Sequence, residues 1–351
     1  MRAKKRESKF EALEEVIREL ERRFGSGIVY RLAQARPKIG ERSVPTGSLA
    51  LDYATGIGGV PRGRITEILG PDSSGKTSLA YHILANAQRD GGLAVLIDAE
   101  QSADAESMER CGVNLADLIV ATPASVEEAL KMVEILVRCG ALDALMVSSI
   151  SALLGLPART RHGASAVNQC KEPGRDVFPY VSRGLDRINT FLKGSPTALV
   201  FTNRANLVKS REVNGYSLVP AWAVPSLPFY ASLRIELVPL FPILRSAGDV
   251  GGVHVRARIA KNKLSSPLRE VDFSILENKG IDREAELFDL GYANGLIQKL
   301  PLGFAFLEGR QFLGKGRERA IAALEQDRGL AEQLEHRIRE AMGKNEVVQC
   351  G

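Results

Sequence analysis

The chain predicts an α/β fold, a mostly parallel sheet with helices on both faces and a small α+β C-terminal domain after it. Three observations carry that expectation. From about residue 45 to 260, short continuous apolar runs alternate with longer amphipathic stretches, as strands buried on both faces alternate with covering helices. A glycine-rich segment, GPDSSGKTS at 70–78, joins one such run to one such stretch. Beyond about 275 the sequence becomes charged and helix-rich. The 351 residues suffice for a full core, and 44% hydrophobic with 25% charged residues is the composition of a globular protein.

In chain order, residues 8–24 place Phe10, Leu13, Ile17, Leu20 and Phe24 on one helical face. Ser8 is the expected cap and Gly25 the stop. Glu14–Arg18 and Glu19 with Arg22 or Arg23 can pair on the opposite face. RITEIL (64–69) reads as the strand before the glycine loop and TSLAYHILANAQRD (77–90) as the helix after it. Strands follow at LAVLI (93–97), LIVAT (118–122), LDALMV (142–147) and ALVFT (198–202), with helices at about 104–112 and at 125–140. ASLRIELV (231–238) and VHVRARIAK (253–261) alternate apolar with polar residues, which suits antiparallel strands extending the sheet. No run of about 18 apolar residues predicts a membrane span, and the basic N-terminus MRAKKRESK lacks a secretory apolar segment. The four cysteines have no short paired spacing, which argues for a reducing compartment and a cytoplasmic protein.

Gly70-Pro71-Asp72-Ser73-Ser74-Gly75-Lys76-Thr77 fits the phosphate-loop pattern G-x-x-x-x-G-K-[ST] without a mismatch, and Ser78 follows it. Glycines let backbone N–H groups curl around phosphate oxygens, Lys76 neutralises them, and Thr77 offers its hydroxyl to magnesium. ATP with magnesium is the expected ligand. Hydrolysis also needs a carboxylate to orient water, and Glu100, after the strand ending in Asp98, is the candidate. The strand 142–147 would normally finish in a magnesium-steadying aspartate, yet it finishes in Ser148 and Ser149, so Ser148 is a weak candidate for that place. Region 157–187 holds Arg159, Arg161, His162, Lys171, Arg175, Arg183 and Arg187 against Glu172, Asp176 and Asp186. Taken alone, such a run is either a solvated face or a polyanion-binding surface, and the net charge of +5 permits either.

At this point the chain resembles the bacterial RecA recombinase family over nearly its whole length. The resemblance rests on 44–80, on LIDAEQSAD (96–104), PFYAS (228–232) and AKNKLSSP (260–267), and on LFDLGYANGLIQK (287–299) and FLEGRQFLGKGRERA (306–320). It implies an N-terminal oligomerisation helix and strand (1–40), a RecA-type ATP- and DNA-binding core (41–275), a small C-terminal domain (276–342) and a tail (343–351). It implies a catalytic role for Glu100, an adenine contact for Asp104, and Lys261 and Lys263 reaching the nucleotide of a neighbouring protomer in a helical filament. Arg204 stands at the family's γ-phosphate-sensing glutamine, Ser107 at an adenine-stacking tyrosine, and Ser148 at the missing aspartate. DNA contacts are expected from Arg159, Arg161 and Arg175 in a first loop. A second loop, about 206–228, offers Lys209, Arg211, Asn214 and Trp222, with Pro220, Pro225 and Pro228 stiffening it.

The implied function is ATP-dependent recombination and repair on single-stranded and duplex DNA. A standard RecA or an SOS-type repressor is a further partner. The alternative is a hydrolysis-impaired paralogue that acts as a regulatory or structural filament protein.

Overall fold

The computed structural model describes residues 2–25, 29, 43–155, 178–209, 216–220, 226–244, 248–267, 269–306 and 311–349. They divide into two compact units, 1–41 and 42–351. The first contains helix α1 (Arg2–Phe24). It starts six residues before Ser8, which therefore lies inside the helix and does not cap it, because Arg, Ala and Lys ahead of it are strong helix formers. Gly25 ends α1 as expected, with φ of +106° and its N–H on the Glu21 carbonyl. Glu19 pairs with both Arg22 and Arg23 at 2.5 Å.

The second unit runs in order through β1 (Ser43–Val44), α2 (Leu49–Thr55), β2 (Val60–Pro61), β3 (Arg64–Gly70), α3 (Lys76–Gln88), β4 (Ala94–Asp98) and α4 (Ala105–Arg110). Next come β5 (Ile119–Ala121), α5 (Val126–Arg138), β6 (Ala144–Ser148), α6 (Ile150–Gly155), α7 (Phe178–Leu192), β7 (Ala198–Lys209) and β8 (Tyr216–Pro220). Then follow α8 (Ser226–Tyr230), β9 (Leu233–Leu244), β10 (Val250–Asn262), β11 (Glu270–Leu276) and β12 (Gly280–Ile281). The last elements are α9 (Arg283–Ala293), β13 (Ile297–Leu300), β14 (Gly303–Phe306), β15 (Gln311–Gly314), α10 (Arg317–Gln326) and α11 (Arg328–Gln349).

Among the described residues the main sheet has the order β12-β11-β10-β9-β3-β7-β6-β4-β5, with β8 on β7. The run from β9 to β5 is parallel. β10 and β11 extend it antiparallel, as the alternating sequence of 231–261 requires. Successive residues of each central strand serve opposite cores. Leu96 and Met146 face one packed by α2 and α3, while Val95, Ile97 and Val147 face one packed by α5, α6 and α7. Burying both faces is what turned these strands into unbroken apolar runs. The edge strand β5 departs from this, with Ile119 and Val120 exposed, and so does the far end of β7, with Leu207 and Val208 exposed.

Ser125 caps α5, accepting from the Glu128 N–H, and Ser48 caps α2, accepting from Leu51. A third core of Leu287, Phe288, Ile297, Phe306, Leu324 and Leu334 joins α9 to α11 with the separate sheet β13-β14-β15, and Leu49 of α2 enters it. No helix among the described residues is long and apolar enough to cross a membrane.

Candidate functional site

β3 ends at Gly70 in the middle of the sheet, flanked by β7 and β9, and the loop from Pro71 turns into α3. The glycines are fixed by space. A Cβ on Gly70 would lie 2.7 Å from the Leu237 carbonyl oxygen, and one on Gly75 2.1 Å from Ile275 Cδ1 at φ +83°. Ser73 takes a positive φ of 57°. A left-handed residue in such a loop brings backbone N–H groups to one concavity. α3 has no side-chain cap, so its first-turn N–H groups remain for an anion. Ser74 Oγ is buried without a partner, and Lys76 Nζ donates to the Pro71 carbonyl at 2.6 Å. Burial holds the Lys76 pKa below its ordinary value, against the opposing pull of Asp72 and Glu100. An orphaned hydroxyl, uncapped N–H groups and a lysine with only a carbonyl to bond fit a polyphosphate.

Glu100 lies close enough to act electrostatically on Lys76. The backbone after β4 is pinned to β6, because Ala99 and Glu100 both donate to the Ser148 carbonyl, at 2.8 and 3.2 Å. Ser149 Oγ donates to Glu100 Oε1 and Ser102 Oγ to Oε2. The sequence puts Ser149 one residue beyond the strand end, and the fold turns its hydroxyl onto Glu100, a contact that nothing in the local pattern specifies. Ser148 is buried and contributes its backbone to this junction. Its register partner on β4 is Asp98, whose Oδ2 accepts from the Ala103 N–H while Oδ1 is buried without a partner.

Arg204, facing Gly70 in the β3–β7 register, pairs with Asp72 of the loop at 2.5 Å. Both side chains are more than half exposed, and an ion pair in that setting is worth about 0–1 kcal/mol. Behind Arg204 a polar ladder crosses the sheet. Ser151 Oγ donates to Asn203 Oδ1, Asn203 Nδ2 to Glu67 Oε1, and Arg234 lies 3.3 Å from Glu67 Oε2. Arg258 closes it on Glu236 at 2.5 Å. Glu67 is fully buried, and burial pushes its carboxyl up despite Arg234.

Asp104 caps α4 and accepts from both the N–H and the hydroxyl of Ser107, bonds that hold its carboxyl below the usual range. A cavity of about 470 Å³ adjoins the loop, lined by Ser73, Gly75 and Ser78 on one side and by Ser107, Val253 and Ile275 beyond. Its described lining carries no aromatic ring. Lys261 and Lys263 both donate to the last carbonyls of α8, Lys261 to Pro228 and Phe229 and Lys263 to Phe229.

Part of the second loop is regular structure. β7 runs on to Lys209 and pairs with β8, so 205–209 and 216–220 form an antiparallel ladder where an irregular loop was expected. Arg204-Ala205-Asn206-Leu207 alternates polar with apolar residues, which suits that pairing. Pro220 sits at the end of β8, and Pro228 in the first turn of α8, where it costs no hydrogen bond. Arg159, Arg161, Arg175, Arg211, Asn214 and Trp222 lie outside the described residues. The acidic group Asp282, Glu284 and Glu325 closes around Lys279 Nζ at 2.6–3.2 Å and is an ion-pair hub.

A model of the family described as RecA N-terminal domain matches residues 11–282. Curated relatives named Protein RecA align along almost the whole chain. One from Thermus thermophilus is 38% identical over 341 residues, 96% of each chain. That of Chloroflexus aurantiacus is 36% identical over 340 residues, 97% of this chain and 94% of its own. That of Rubrobacter xylanophilus is 38% identical over 339 residues, 95% and 94% respectively.

Proposed function

The chain belongs to the RecA family, and from that membership we propose that it is an ATP-dependent, DNA-binding recombinase that assembles as a filament on single-stranded DNA. The observation that carries the ATP-dependent part is the phosphate loop with Glu100 beside it. In this reading ATP lies along Gly70–Ser78 with its base in the adjoining cavity near Asp104. Magnesium, bound through Thr77, supplies charge neutralisation at the phosphates. The buried, unpartnered Asp98 Oδ1 at the register position of Ser148 offers the negative charge that serine lacks, so the donor set fits the ion. Glu100, held by Ser149, orients the attacking water. Lys261 and Lys263 face a neighbour's nucleotide, and α1, whose Leu13 and Phe24 are more than half exposed, supports a partner protomer. Arg159, Arg161, Arg175, Lys209, Arg211 and Asn214 are the proposed DNA contacts, and the cytoplasm the proposed compartment. The near-full-length relatives favour this reading over an impaired filament protein.

The decisive measurement is ATP turnover and strand exchange with single-stranded DNA. Turnover that rises with DNA and vanishes in Lys76→Ala is expected; a chain that exchanges no strands and hydrolyses no ATP on DNA sinks the reading.

Arg204 distinguishes this chain within the proposal. Its exposed pair with Asp72 is weak, whereas a guanidinium–phosphate bond is charge-assisted and bidentate. The triphosphate therefore draws Arg204 from Asp72. Arg204→Gln is expected to raise the Kd for ATP about tenfold, the ~1.4 kcal/mol of one such bond, and to leave that for ADP nearly unchanged. Fluorescent-nucleotide titration reads both; equal loss for the two nucleotides refutes a γ-phosphate contact.

A further inference from the structure

A second polar cavity, of about 210 Å³, opens between the ends of α3 and α4 and the C-terminal helices α9 and α11. Guanidiniums reach it from four separate elements: Arg89 just past α3, Arg110 at the end of α4, Arg283 at the start of α9 and Arg339 within α11. Two carboxylates stand against them. Glu335 bonds Arg339 and is paired with Arg283, and although burial opposes it, these bonds hold its carboxyl below the usual range. Asp52 is buried, and burial pushes it up to about 7. Arg110 is shared with Glu106 and Asp104 at the rim, while Arg89 pairs with no carboxylate among the described residues.

His82 adds a neutral donor. Burial, and then Arg89, lower its pKa to about 4, and its Nε2 accepts from the Ile281 N–H at 2.9 Å. The ring proton therefore sits on Nδ1. Space beside the ring is kept by Gly47, where a Cβ would come within 3.1 Å of His82 Cγ and 3.3 Å of Nδ1. The wall is thus rich in donors, cationic at neutral pH, and assembled from two parts of the fold.

We propose that this cavity binds a small phosphate-type anion, of the inorganic phosphate or pyrophosphate class, between the core and the C-terminal helices. Guanidinium forks match phosphate oxygens, and donors from several elements can surround a compact anion. Nothing in the phosphate loop takes part, although Arg110 and Cys111 also line the cavity proposed for the base; the tests therefore act on Arg89, which lines this cavity and not that one.

Titration calorimetry with pyrophosphate on Lys76→Ala, where the phosphate loop is disabled, is expected to show one site. Arg89→Ala in that background weakens it at least tenfold, and Arg89→Lys, which keeps the charge, recovers most of the binding. Pyrophosphate raises the Tm of the Lys76→Ala chain and not that of the double variant. Absence of binding in Lys76→Ala, indifference to Arg89→Ala, or an equal response to chloride at matched ionic strength overturns the proposal. A short duplex oligonucleotide separates the sources of such a group. Displacement of pyrophosphate assigns the site to a backbone phosphate, and no displacement assigns it to a free phosphate compound.

Discussion

Glu100→Gln is expected to lower DNA-stimulated ATP turnover by about 10²–10⁴-fold, the range for loss of a positioned general base, while ATP binding persists. The carboxylate acts near Lys76 and is held on one side by Ser149 and on the other by Ser102. The amide is nearly isosteric, so the backbone junction with the Ser148 carbonyl is undisturbed. What changes is the ability to accept a proton from water. Steady-state hydrolysis alongside nucleotide titration separates the two effects. Turnover within threefold of the parent would remove Glu100 from the chemistry and return attention to Asp98.

The second large effect concerns stability. Glu286→Ala is expected to cost about 3–5 kcal/mol in urea denaturation, because it orphans buried donors at roughly 1–3 kcal/mol apiece. Glu286 is buried on α9, where Oε1 accepts from Ser48 Oγ and the Ala50 N–H and Oε2 from the Leu49 N–H. It thereby satisfies the open N-terminus of α2 from across the fold. Burial also pushes its carboxyl up to about 7, as it does that of Asp52 nearby.

The folded-state pKa lies above the unfolded value of 4.5, so the protonated form is the one folding favours. The associated stability is fully present below about pH 4.5 and is lost as pH rises through 7. Glu286→Gln cannot titrate. The stability of the parent relative to this variant should therefore fall between about pH 4.5 and 7, and a difference that stays flat would mean the group does not titrate in that window.

Local pattern made the central strands, the phosphate loop and the antiparallel extension legible, since each is written within a dozen consecutive residues. What escaped was built from residues distant in sequence. Glu67, Asn203 and Arg234 lie far apart in the sequence, and only the β7-β3-β9 order makes them a ladder. In DREAE (282–286) three acids look alike as first-turn residues, yet Asp282 caps α9, while Glu284 bonds Lys279 and Glu286 alone turns inward to Ser48. The start of α1 was misplaced because a capping serine was preferred to the helix formers ahead of it. At the ladder of β7 with β8, the family resemblance points to a loop, whereas the alternation at 204–207 points to a strand.

The place of β3 has a consequence for how the protein comes into being. Its strand neighbours are Ala198–Lys209 and Leu233–Leu244, so the strand that carries Gly70 is flanked by chain made much later. A nascent polypeptide grows at roughly 5–20 residues per second. For some seconds after its own synthesis Arg64–Gly70 has no permanent pairing, and sequence-distant contacts of this kind form slowly. The nucleotide pocket is therefore a late product of translation: a ribosome-bound chain halted before Leu233 carries the whole GPDSSGKTS segment without the sheet that shapes it.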